Sequence, residues 1–349
     1  EYPDFSYKNY LSRFGIDAVV YQPQLDKIEG RYGNQIKYWI LQIKTKFTNK
    51  LSKVLIEPQN SLLGGLLLGA KRSISESLTE QFNQTGMSHI VAVSGYNITI
   101  IAIGIGWLLQ RLGLHKRVSF FISIPVIILF VIMIGASASA VRAGIMGILL
   151  LLALNVGRVS VAGNALAFTA SFMVLLNPQI LLFDVGFQLS FAALIGIVYL
   201  LPVLEPYFLW LPIDIRKYFL TTLSAQFFAL PLLLYYFGTL SLIAILPNLL
   251  ILPMIPVTML SGFLTGITAL VSLKLSWPFA YVTKLLLSYI LGIIGFFANL
   301  PFASVTFRIN FIALIIYYLI ISIILVWYYR IKSLQNQEIL LEYVNYDHT

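Results

Sequence analysis

Beyond residue 57 the chain is a succession of apolar runs, divided by short polar or proline-bearing breaks into segments near the length of a bilayer crossing. A transmembrane helix needs about 20 predominantly apolar residues. Runs of that order are read near 88–109, 118–136, 140–156, 160–176, 180–201, 218–236, 279–299 and 311–329, with two more inside 240–272. The pattern predicts an all-α polytopic membrane protein with about ten transmembrane helices, some of them broken. Breaks are expected in the tract Leu240–Leu273, where Pro247, Pro253 and Pro256 each remove a backbone donor and crowd the preceding turn. The run Ser61–Ala70, SLLGGLLLGA, is too short to span and is expected to be re-entrant or packed on the bundle.

Upstream the pattern changes. Ile36, Ile40, Ile43, Phe47, Leu51 and Val54 recur at three- and four-residue steps, which is one helical stripe. Arg31, Lys37, Lys44, Lys46, Lys50 and Lys53 share that segment, and no acid interrupts them before Glu57. With Trp39, this predicts an N-terminal amphipathic helix at the lipid interface. Nucleic-acid binding through the lysines is the alternative. The chain thus divides into a membrane-proximal polar segment (1–57), a transmembrane domain (58–330) and a polar tail (331–349).

Polar residues also occur where apolar ones are expected. Gly86–Ile103, GMSHIVAVSGYNITIIAI, carries Ser88, His89, Ser94, Gly95 and Asn97 in its first half. Hydrocarbon offers such groups no partner, so they face protein or water. Interrupted polar spans are where transport proteins place their pathways, while small residues equally make a packing seam. Arg142 stands in IGASASAVRAGIMG with no hydrophilic loop to hold it. It either needs a partner or a watery cavity, or it reaches headgroups from a short turn. Asp184 and Gln188 are four residues apart on one helical face, beside a stripe of Phe183, Phe187 and Phe191. That stripe is read as packing, and Asp184 as structural, with Arg142 as its possible counter-ion. Asn155, Asn164, Gln226 and Asn248 are expected to bond between helices. Gly262 and Gly266 form a GxxxG packing element.

Composition agrees with the pattern. The chain is 59% hydrophobic and 11% charged, with a mean hydropathy of +0.86, against about 25% charged in an average soluble domain. Net charge is +9, held largely between the apolar runs, which suits topology and contact with anionic lipids. The connection 110–117, QRLGLHKR, is expected to be cytoplasmic and residues 1–57 to lie outside. There is no cysteine, the three histidines are widely spaced, and no P-loop is present. Hence no cofactor, no metal site and no enzyme activity are expected. The chain opens on Glu1 and is expected to be part of a longer protein.

Several stretches in chain order resemble the ComEC competence proteins, the inner-membrane channel for DNA uptake. They are FSYKNYLSRFGI (5–16), EPQNSLLGGLLLGAKRSIS (57–75), GMSHIVAVSGYNITII (86–101), SAVRAGIMG (139–147), NPQILLFDVGFQLSFAALIGI (177–197), SAQFFALPLLLYYFGTLS (224–241) and PNLLILP (247–253). Tyr96–Asn97 departs from the family's common Leu-His after Ser-Gly. The resemblance implies a multi-pass helical channel in the cytoplasmic membrane that passes single-stranded DNA inward during natural transformation. His89, Ser94, Gly95, Asn97, Arg142 and Gln188 are then the pathway candidates. Implied partners are single-stranded DNA, anionic lipids, a cytosolic DNA-translocating ATPase, a DNA receptor and further copies of the chain. The family's OB-like and metallo-β-lactamase-like domains have no counterpart in these motifs, so DNA degradation is not carried over. A secondary transporter of a small polar solute or lipid precursor remains the alternative.

Overall fold

The computed structural model describes residues 11, 16, 18–20, 22–24, 34–70, 74–91, 95–156 and 162–346. It is helical, with few strands. In order come α1 (Gln35–Leu51), α2 (Gln59–Leu68), α3 (Glu76–Gln84), α4 (Ser88–Val91), α5 (Gly95–Arg111), α6 (Lys116–Met133), α7 (Ala138–Val156), α8 (Ala162–Leu176) and α9 (Ile180–Phe183). They are followed by α10 (Val185–Phe208), α11 (Ile213–Tyr236), α12 (Ile245–Val271), α13 (Leu273–Ala298) and α14 (Phe311–Tyr346), with short strands β1 (Thr239–Ser241) and β2 (Ser304–Thr306). Among the described residues, five helices are long and apolar enough to cross a membrane: α10, α11, α12, α13 and α14 as far as Leu334. Shorter apolar helices lie within α5, α6, α7 and α8, where further spans were expected. The tract expected to hold two spans forms one, α12, with a 3-10 turn at Leu252–Met254. Its prolines explain this. Pro247, Pro253 and Pro256 stand in the first turns of successive helical pieces, where a missing N–H costs little.

The chain divides into two compact units, residues 1–191 with 241–305, and residues 192–240 with 306–349. It passes between them within α10, within β1 and again within β2.

The first unit is built around α2. From Leu62 its sequence is apolar on every side, so burial on every side is its stable placement, and each residue from Ser61 to Leu68 is buried. Leu62, Leu63 and Leu66 pack with Phe47, Leu51, Ile255, Met259, Leu287 and Ile290 in one core. The GxxxG of α12 supplies the notches: a Cβ on Gly262 would overlap Leu63, and one on Gly266 would overlap the Phe47 ring. Thr265 and Thr283 hydroxyls meet at 3.0 Å between α12 and α13. A second core joins α5, α6 and α7 through Ile98, Ala102, Ile127, Val131, Ala140 and Ala143.

The second unit consists of α10 from Ala192, α11 and α14. A Cβ on Gly196 would overlap the Ser224 carbonyl, so α10 and α11 meet backbone to backbone. Pro231 cannot donate to Phe227 O. Tyr317 Oη takes that role at 3.0 Å, and Tyr318 Oη donates to Phe228 O at 2.6 Å. Where α10 widens into a π-turn at Gly196–Leu200, Tyr329 Oη donates to Tyr199 O at 2.9 Å.

Candidate functional site

Two polar arrangements in the first unit bear on function. The first closes the ends of α2. A helix carries about +0.5 charge at its N-terminus and −0.5 at its C-terminus, and α2, buried from Ser61 to Leu68, meets polar side chains at both ends. At the N-terminal end, Glu57 Oε2 accepts from Ser61 N at 3.1 Å and Oε1 from Asn60 Nδ2 at 2.8 Å. Desolvation raises the Glu57 pKa, but the bonds from Ser61 and Asn60 outweigh it and hold the carboxyl below its ordinary value. At the C-terminal end Gly69 adopts φ +66°, returning its N–H to Gly65 O and that of Ala70 to Gly64 O. Asn97 Nδ2 donates to Leu66 O at 3.2 Å. Lys44 Nζ donates to Leu68 O at 3.0 Å and also, at 3.0 Å, to Met133 O at the end of α6. Burial there pushes the Lys44 ammonium below its ordinary pKa.

The second arrangement surrounds Arg142. The α6–α7 turn is made by Gly135 and Ala136, both at positive φ, and α7 is under way by Ala138. Arg142 therefore sits in a helix, not in a turn, and is 6% exposed. Its neighbours Ala140, Ala143 and Gly144 pack toward α5 and α6. Nη1 has no hydrogen-bond partner, and the guanidinium carbon lies 5.7 Å from the centroid of the Phe191 ring. Phe191 in turn packs on Phe187 at 4.3 Å between centroids.

The break between α9 and α10 fixes those rings. Asp184 Oδ1 accepts from Phe187 N at 2.9 Å, an N-cap bond. Gln188 Nε2 reaches back to Leu181 O at 2.9 Å and Leu182 O at 3.1 Å, while its Oε1 is buried without a partner. Among the described residues, no ion pair joins Arg142 to Asp184.

The expected site residues thus separate. Arg142 and the Phe191 end of α10 come together, with Gln188 one turn earlier. Asn97 is 1% exposed and belongs to the α2 end. His89 is exposed, its Nδ1 3.2 Å from Gly86 O, and Gly95 opens α5. Ser94 lies outside the described residues. Lys44 and Glu57 were not among the candidates. The one hint to Glu57 was an acid directly before a proline, a few residues ahead of the apolar run that starts at Leu62.

Comparison with known proteins adds the family. Residues 66–331 match the family model described as "Competence protein". ComE operon protein 3 of Bacillus subtilis (strain 168) is 27% identical over 237 residues, 67% of this chain and 30% of that relative. The chain therefore spans about a third of the relative's length. No solved structure matches. The family match takes in α5 to α13 whole, with Asn97, Arg142, Asp184 and Gln188 among its residues, and the chain belongs to the competence protein family.

Proposed function

We propose that this chain forms a conduit for single-stranded DNA across the cytoplasmic membrane during natural transformation. The observation that carries the reading is Arg142: a buried guanidinium with a free donor, set over an aromatic ring. A strand presents phosphates, which Arg pairs in bidentate fashion, and base faces, which stack on rings. Family membership supports a role in competence. Arg142 and the free Oε1 of Gln188 are assigned to the pathway, His89 and Gly95 are kept as candidates on the family resemblance, and Asn97 and Asp184 are assigned to the frame. The apolar helices within α5–α8 also enter the bilayer, bringing the count close to ten, and α1 lies at its surface among anionic lipids. The 110–117 connection faces the cytosol. No catalytic step is assigned to the chain. Energy comes from a cytosolic ATPase or from capture of the strand, and a receptor delivers it.

The test is uptake of labelled DNA in a transformable host carrying this segment within a full-length homologue, normalised to inserted protein. Arg142→Gln keeps hydrogen bonding but removes the charge. It is expected to lower uptake at least about tenfold with unchanged protein amount, since a charge-assisted bond contributes about 1.5–3 kcal/mol. Arg142→Lys is expected to recover only part of it. Normal uptake by Arg142→Gln, or solute flux through the chain in liposomes that single-stranded DNA does not affect, would turn the reading toward a small-solute transporter.

A further inference from the structure

A half-open cavity of about 260 Å³ lies among the last turns of α5, the first turns of α6 and the last turns of α7. Gly106, Gln110, Ser119, Phe120, Ser123 and Asn155 give it its character, and no charged side chain lines it. Its polar groups are not used up within the protein. Ser123 Oγ donates to Ser119 O at 2.8 Å and Ser119 Oγ to Leu114 O at 3.4 Å, which commits their protons and leaves their lone pairs open. Asn155 Oδ1 is buried with no partner at all. Buried acceptors of this kind are rare in folded proteins and ask for a donor. One wall is the ring of Phe120, itself buried. Gly106 is also buried, yet the nearest atom to a Cβ built there is Leu151 Cδ2 at 4.0 Å. Packing does not require a glycine at that position, and its lack of a side chain keeps the cavity open.

These features select the occupant. A charged headgroup would enter a lining with no counter-charge, at a desolvation cost. Water would satisfy Asn155 but would lie against an aromatic wall. The fitting ligand is neutral and flat, with N–H donors and carbonyl or ring-nitrogen acceptors on its edge. We propose that this cavity is a nucleobase pocket, in which a base of the passing strand stacks on Phe120 and donates to Asn155 Oδ1. The inference rests on the conduit reading above and names a second place where the strand is held. The connection from Gln110 to Ser119 also exposes Arg111 and Arg117, cations suited to the phosphates beside such a base.

The experiment compares binding of a fluorescent oligodeoxythymidine with that of an abasic strand of equal length, using the full chain in nanodiscs. The base-bearing strand is expected to bind about tenfold tighter, in keeping with base–aromatic stacking. Gly106→Phe fills the cavity and Asn155→Leu removes its acceptor. Each is expected to bring the oligodeoxythymidine down to the abasic level without changing abasic binding. Gly106→Ala, which leaves the cavity open, is expected to keep the preference, so misfolding of the larger variant does not decide the outcome. A preference retained in both Gly106→Phe and Asn155→Leu would overturn the pocket. Equal binding of the two strands by the unmodified chain would mean that the cavity holds water, and would overturn it too. Binding of neither strand would instead bring down the conduit reading itself.

Discussion

At the two ends of α2 a carboxylate and an ammonium meet the helix termini they complement, whereas Arg142 on α7 meets an aromatic ring and, among the described residues, no carboxylate. Both arrangements lie in the first unit, and each holds a buried polar residue, Asn97 in one and Arg142 in the other. They differ in whether anything is left over. Glu57, Lys44 and Asn97 donate to or accept from peptide groups that would otherwise be stranded, so their business is finished within the fold. Arg142 has a free Nη1 and Gln188 a free Oε1. Burying a charge without a counter-charge lowers stability, and an incoming anion relieves that cost. The difference separates residues that hold the structure from residues that wait for something.

The contrast can be broken most directly at Lys44. Lys44→Met removes one ammonium from two helix ends at once and is expected to destabilise the protein by about 2–3 kcal/mol, the scale of hydrogen bonds from charged donors. Thermal unfolding in detergent measures it, and a loss no larger than that of Arg142→Gln would erase the distinction. Asn97→Leu should cost less, about 1–2 kcal/mol for a buried carbonyl left without its donor, with uptake falling only in proportion to folded protein. Uptake lost at full protein level would return Asn97 to the pathway. The smallest effect is at Glu57. Its folded pKa lies below the ordinary 4.5, so its contribution is fully present above that value and fades as pH falls through the folded one. Wild type is expected to outlast Glu57→Gln near neutrality, and the gap should close in acid. A gap independent of pH would show that the carboxylate charge is not what holds the start of α2.

Much of this was legible in the sequence. The helical class, the burial of Ser61–Leu68 and the packing role of the GxxxG follow from apolar periodicity and segment length, which are local properties. Lys44 was not legible, because its two acceptors are 24 and 89 residues away and its own helix reads as a lipid-surface element. Asn97 sits in a stretch whose polarity suits a pathway equally well. Only the position of Leu66 O, 31 residues upstream, shows what it bonds. Asp184 was read with Arg142 as a counter-ion, but its Oδ1 accepts from the Phe187 amide and, among the described residues, no ion pair joins it to the arginine. Local capping competed with a long-range ion pair and the nearer donor prevailed. The span expected to be two became one because proline position within a turn, more than proline number, decides whether a helix ends.

The burial of α2 also has a consequence for biogenesis. A helix of ten residues is too short to partition stably into a bilayer by itself, and the notch that receives Leu63 is Gly262, far downstream on α12. Ribosomes add about 5–20 residues per second, so α2 emerges on the order of ten to forty seconds before its seat exists. During that interval the segment must be sheltered, by the insertion machinery or by α1 and α5 alone. Assembly of the first unit is thereby tied to synthesis of α12, and a nascent chain stalled before it would carry an exposed, aggregation-prone leucine cluster.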